Sequence, residues 1–248
     1  KHLSSNRTAT RHAVIQNEHL AVFRQHFNGQ SEAWVGSNVS SWSNWVLERL
    51  VSQHSLETTS LPNRTVSRNE LYAMSEDSAV DDLTLVLSIL SWGGMHRRHA
   101  VSALATWSEW RHIITRLREG SFSRSAAYNS FANVRRNKLL TGMGPAYFTK
   151  LIYFCDPNHD GYIMDQWTAR SSNLLGISPA IKMYAAKDSK FMGVSDKNTS
   201  ETYEAFCRFI EYIGDSYFPD FDYSSVEEAM FSEGRGKGAW RSYVIAKT

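Results

Sequence analysis

The chain is poor in the residues that announce a metal centre, a disulfide scaffold or a membrane. Only two cysteines occur in 248 residues, Cys155 and Cys207. Two thiols cannot by themselves ligate an iron–sulfur cluster or an all-cysteine zinc site. Each stands in an apolar helical context, which predicts a reduced, buried thiol rather than a disulfide. No apolar run approaches the length of a bilayer crossing. The first residues, KHLSSNRTATRH, lack the apolar stretch of a secretory leader. The expected setting is therefore intracellular, with no membrane partner. On that expectation the N-x-[ST] sequons at Asn6, Asn38, Asn63 and Asn198 read as chance. No G-x-S-x-G, phosphate-binding loop or G-x-G-x-x-G occurs. Prolines number five, none marking a linker, and no internal repeat is present.

What the chain does have is apolar content at helical spacing. It is 42% hydrophobic with a net charge of only +2, which excludes disorder as the main state. Residues 83–91 (LTLVLSILS) are apolar on nearly every side, as a central buried helix requires. Val101, Leu104, Trp107, Trp110, Ile114 and Leu117 recur every three or four residues and predict one helix over 97–118. Gly93 and Gly94 precede it and Gly120 ends it. Further helices are predicted over 41–54, 124–136, 145–154, 166–175 and 200–213, with one or two between 224 and 246. Strand-like alternation is scarce. The expected fold is an all-α, many-helix globule, compatible with two lobes around a cleft. A single domain over 1–248 is expected, with a less regular part over 1–80, a core over 80–175 and C-terminal helices over 176–248.

Charge is unevenly spread. His96, Arg97, Arg98 and His99 cluster, followed by Arg111, Arg116, Arg118, Arg124, Arg135, Arg136 and Lys138, then Arg235, Lys237 and Arg241. Glu76, Asp77, Asp81 and Asp82 group separately. Such a distribution can give a nearly neutral protein one basic face.

The chemistry concentrates in residues 139–170. Leu140-x-Gly142-Met143-Gly144 falls between two predicted helices. A Gly-hydrophobic-Gly turn lets two helices approach closely and leaves backbone N–H groups free to hold a phosphate. Asp165, in Met164-Asp165-Gln166-Trp167, stands 21 positions after Gly144 and opens another predicted helix. Upstream, Leu90-Ser91-Trp92-Gly93-Gly94 closes the apolar helix.

These segments, over roughly residues 80–175, resemble the helix-hairpin-helix DNA glycosylases, the superfamily of endonuclease III and 8-oxoguanine glycosylase. The resemblance implies a helix-hairpin-helix motif over 134–154 and double-stranded DNA carrying a modified base as partner. It implies that Asp165 is the catalytic carboxylate beside C1′ and that Gly142, Met143 and Gly144 anchor the DNA backbone. Arg97, Arg98 and Lys150 are the expected phosphate contacts. Trp92, Tyr147 and Trp167 are candidate walls for a flipped base. The superfamily's lysine nucleophile, two residues after the second glycine, is Ala146 here, which implies a monofunctional enzyme leaving an abasic site. Lys150, one turn along the same helix, is the residue that could change this. Phe148 replaces a small residue usual in the second helix. No cofactor or catalytic metal is implied, although a structural cation in the hairpin is compatible. In layout the chain is similar to compact bacterial 8-oxoguanine-glycosylase-like proteins, some resembling phage-defence enzymes. That likeness implies glucosylated 5-hydroxymethylcytosine in phage DNA as substrate, with repair of an oxidised or alkylated purine as the alternative. A monomer is the default expectation, at the bacterial nucleoid. Trp34, Trp42 and Trp45 could wall a sugar pocket or belong to the core.

Two rival readings use the same residues. Asp156-x-Asn158-x-Asp160-Gly161 matches the start of an EF-hand calcium loop, but the twelfth position is Trp167 instead of a bidentate glutamate. A non-catalytic DNA-binding protein would use the glycine turn yet has no use for Asp165. His96 and His99, three apart, lack the partners of a metal hydrolase.

Overall fold

Around one helix that is buried on every side, α4 (Asp82–Trp92), the rest of the chain is arranged. Every residue from Leu83 to Trp92 is buried, as its unbroken apolar run demands. Asp81 caps its start by accepting from the Thr84 amide at 2.8 Å, and Gly94, at φ +69°, turns the chain away from its end. The computed structural model describes residues 14–27, 34, 36–50, 58, 60–185, 192–231 and 238–248. Asn6, Arg235 and Lys237 lie outside these.

Twelve helices and one two-stranded sheet make up the described residues, so the fold is all-α as expected. Three helices come from the region read as less regular: α1 (Asn17–His26), α2 (Val39–Leu47) and α3 (Arg68–Glu76). Of these only α2 was foreseen, and it is shorter than the predicted 41–54; residues 51–57 lie outside the described set. Helices α2 and α3 pack on α4.

The single helix expected over 97–118 is two: α5 (Arg97–Leu104) and α6 (Trp107–Arg118). The break needs no glycine or proline because side chains satisfy a carbonyl it frees. Trp110 Nε1 donates to the Ala103 carbonyl at 3.0 Å, and Thr106 Oγ1 donates to the same carbonyl at 3.2 Å. Apolar spacing continues across the break, which hid it.

Helices α7 (Arg124–Arg136), α8 (Pro145–Cys155) and α9 (Gln166–Leu175) match expectation closely. Phe148, foreseen as a misfit, stacks on Phe131 with ring centroids 5.3 Å apart and 12° between planes, and joins α7 to α8. After α9 come β1 (Met183–Ala185) and β2 (Met192–Val194), antiparallel with Tyr184 opposite Gly193. The Tyr184 ring covers Gly193, where a Cβ would stand 2.5 Å from it. Strands of three residues are too short to show alternation, so the hairpin was not foreseen. The chain ends with α10 (Ser200–Tyr217), longer than the predicted 200–213, then α11 (Tyr223–Phe231) and α12 (Ala239–Lys247).

One hydrophobic cluster runs from Leu20 to Val244. Cys155 and Cys207 are buried in it as free thiols. No helix among the described residues is long and apolar enough to cross a membrane.

Candidate active site

The segment between α8 and α9 is pinned before it reaches Asp165. Thr149 of α8 accepts from the Met164 amide at 3.1 Å, and Thr168 Oγ1 donates to the Ile163 carbonyl at 2.7 Å. Tyr162, Ile163 and Met164 are buried. Asp165 then caps α9: its Oδ1 accepts from the amides of Trp167 at 2.8 Å and Thr168 at 3.2 Å. Its own amide donates to Thr168 Oγ1, completing a reciprocal capping box. One carboxylate oxygen is thus committed to the helix. The other, Oδ2, faces the Lys150 ammonium at 3.8 Å. Asp165 is 8% exposed.

Lys150 does not stand where a phosphate contact or a solvated charge would stand. It is 7% exposed, and its Nζ donates to the Ala146 carbonyl at 2.9 Å. The Tyr147 ring centroid lies 5.7 Å from that nitrogen. Gly93 makes room for the stem, since a Cβ there would come within 2.9 Å of Lys150 Cδ. Burial holds the Lys150 ammonium below its ordinary pKa, with Asp165 and Glu227 opposing and Arg68 adding to the depression.

Around this pair the chain builds an aromatic wall. Trp34 Nε1 donates to the Trp92 carbonyl at 2.7 Å, and the Trp34 ring meets Phe231 edge-on at 6.3 Å. The Arg241 guanidinium lies 4.9 Å from the Phe231 ring and 4.5 Å from that of Trp167, two residues after Asp165. Contacts therefore run from Trp92 through Trp34, Phe231 and Arg241 to Trp167. Of the three early tryptophans, Trp34 alone joins this wall. Trp42 is core, and Trp45 carries Arg49 over its ring at 3.6 Å.

Beside Trp92 lies a polar cluster that sequence reasoning missed. Arg68 donates to Glu227 at 2.9 Å, pairs with Glu228 at 2.9 Å and donates to the Tyr153 hydroxyl at 3.2 Å. Tyr153 in turn shares a hydrogen bond with Tyr72. Glu227 is 1% exposed; burial pushes its carboxyl up to about 7, with Glu228 and Asp165 adding and Arg68 opposing. The available signal was Glu227 three positions before Met230, an acid on the buried face of α11.

The glycine turn sits beside α5. Gly142 has φ +78°, and a Cβ there would stand 2.5 Å from the His99 carbonyl oxygen. Gly142 and the exposed start of α5, with Arg98 and the half-buried Arg97, therefore share one surface. Met143 is fully buried, so Gly142 and Gly144 are the turn residues with surface available to a partner. Arg135 donates to the Leu140 carbonyl at 3.0 Å and the Met143 carbonyl at 2.6 Å, and pairs with Asp196. A guanidinium thus fills the inner face of the turn, where a structural cation was compatible. Gly142→Ala is expected to lower stability by more than about 1 kcal/mol, read as a fall in the thermal midpoint.

Several expected surface cations are spent on structure. Arg118 pairs with Asp82 at 2.8 Å, Arg124 is tied to Glu204 and Glu211, and Arg241 is buried. Arg98, Arg111, Arg116, Arg136 and Lys138 remain exposed. In the calcium-like loop, Asp156 Oδ1 accepts from the Asn158 amide at 3.0 Å and the Asp160 carbonyl accepts from Arg124 at 2.7 Å. Among the described residues no three acids, histidines or cysteines could together hold a metal ion.

Fold and site together define an all-α protein with a helix-capping carboxylate facing a buried lysine, next to a chain of aromatic contacts that ends at Trp167. The chain belongs to the family described as "Putative 8-oxoguanine DNA glycosylase OGG-like protein", which matches residues 28–231. That span contains Lys150, Asp165, Glu227 and Phe231 and stops before Arg241. No curated protein and no solved structure matches the chain.

Proposed function

We propose that the chain is a DNA glycosylase that flips a modified base out of double-stranded DNA and severs its bond to deoxyribose. The observation that carries this reading is the split role of Asp165, with Oδ1 anchored to α9 and Oδ2 open toward Lys150. As the C1′–N bond breaks, its electron pair leaves with the base and positive charge develops on the sugar. The Asp165 carboxylate stabilises that charge and takes a proton from the water that adds to C1′, leaving an abasic site. Trp92, Tyr147 and Trp167 offer surfaces for the extruded base. The backbone of Gly142 and Gly144 and the neighbouring Arg97 and Arg98 hold phosphates, in the manner of a helix-hairpin-helix over 134–154. The enzyme acts as a monomer at the bacterial nucleoid.

The favoured substrate is glucosylated 5-hydroxymethylcytosine in phage DNA, which makes the protein an anti-phage enzyme. Trp34 beside Trp92 and Phe231 supports it, because aromatic faces stack on sugar rings. The family description supports the alternative, repair of 8-oxoguanine. Alkali-revealed strand breaks in phage DNA but not in an 8-oxoguanine duplex favour the first, and the reverse pattern favours the second.

A second reading follows from the burial of Lys150 next to Asp165. A neutral Lys150 amine can attack C1′ as the base leaves, open the sugar to an imine and cut the strand by β-elimination, although position 146 is alanine. Borohydride would then trap a covalent protein–DNA adduct with wild type and none with Lys150→Met. Base release without an adduct leaves the hydrolytic route through Asp165.

A further inference from the structure

Glu227 and Arg68 take no part in the steps above, yet both adjoin the site: α11, which carries Glu227, packs on α9, which Asp165 caps, and Arg68 stands beside the Trp92 ring. They come from α11 and α3, elements far apart in sequence. A buried acid and a buried guanidinium brought together beside a catalytic carboxylate are costly to retain as mere packing. Their geometry is that of a reading edge. Arg68 fixes one oxygen of Glu227, Oε2, at 2.9 Å and lies 5.7 Å from the Trp92 ring centroid. Glu228 adds a second acceptor on the same guanidinium. Trp92 Nε1 is buried with no hydrogen-bond partner, a donor not yet used on that wall.

We propose that Glu227, oriented by Arg68, accepts a hydrogen bond from the exocyclic amine of the flipped base and so makes the site selective for amine-bearing bases. This rests on the glycosylase reading and adds the class of base. Two neighbouring carboxyl groups make the wall rich in acceptors. Cytosine-type and guanine-type bases present an amine to it, with a ring nitrogen or carbonyl oxygen alongside for Arg68 or Trp92. Uracil-type bases present two carbonyl oxygens flanking one N–H, and those oxygens would face carboxyl oxygens. A site built to bond a polar group rejects the analogue lacking it far more strongly than an apolar pocket does.

The test uses four duplexes: glucosylated 5-hydroxymethylcytosine and its uracil-type counterpart, and 8-oxoguanine and its counterpart without the 2-amine. Single-turnover base release is measured for wild type and Glu227→Gln, with binding to undamaged duplex as a control. Wild type is expected to favour the amine-bearing member of its preferred pair by at least ~100-fold. Glutamine, offering both an acceptor and a donor, is expected to reduce that preference to below about tenfold while binding to undamaged DNA is unchanged. Equal wild-type rates on both members of the pair overturn the assignment without recourse to a variant. So does a folded Glu227→Gln that keeps the wild-type preference. Release from none of the four duplexes by wild type overturns the glycosylase reading, and this assignment with it.

Discussion

Asp165→Asn is expected to keep the fold and to lower base release by about 10²–10⁴-fold. The two effects separate because the two oxygens have separate tasks. Asparagine is as good an N-cap as aspartate, and its carbonyl oxygen can take over the amides of Trp167 and Thr168. The group lost is the charge on Oδ2, which faces Lys150 and, on the proposed mechanism, the sugar cation. Melting should move little, and binding to undamaged duplex should hold. A variant as active as wild type would remove Asp165 from the chemistry.

Arg124→Met is expected to cost about 3–5 kcal/mol, because it strips the counter-charge from a network that is only partly solvated. Arg124 donates to both oxygens of Glu204 at 2.9 Å, to Glu211 at 2.5 Å and to the Asp160 carbonyl at 2.7 Å. It ties α7 to α10 and to the segment that delivers Asp165, where Gly161 packs against its Cβ. For a chain of this size the loss amounts to a fall of roughly 10 °C in the thermal midpoint. Acid stability should change as well. Arg124 holds the Glu204 carboxyl below its ordinary value of 4.5. Its contribution is therefore present above pH 4.5 and lost as pH falls through the lower folded value. In the variant that part of the acid-unfolding slope should flatten, as pH titration of the far-UV signal would show. A melting curve and an acid profile both like wild type would mean that the network is not structural.

The parts of the fold legible in the sequence are those with strong local signals. Helices α4, α7, α8 and α9 begin at Asp81, Ser123, the Gly144–Pro145 pair and Asp165, each a cap or first-turn residue. Their bounds followed to within a residue or so. The α5–α6 break was hidden because Trp110 and Thr106 satisfy the freed Ala103 carbonyl, without the glycine or proline that marks a turn. Within the candidate site, motif spacing singles out Asp165 and Trp92. The inward turn of Lys150 could not, because it depends on Gly93 of a different helix leaving space. Arg68, Glu227, Phe231 and Arg241 come from three separate helices, and only tertiary packing brings them to one wall. Periodicity reads which face of a helix is buried, not which buried polar groups meet.

The most direct measurement is mass-spectrometric detection of free base. Wild-type protein would be incubated with glucosylated phage DNA and, separately, with an 8-oxoguanine duplex, and each DNA tested for strand breaks before and after alkali. The proposed function predicts a free modified base from one of the two, with the matching abasic sites in that DNA alone. Intact bases in both DNAs at saturating protein, with salt-sensitive binding retained, would contradict it and leave a protein that holds DNA without acting on it.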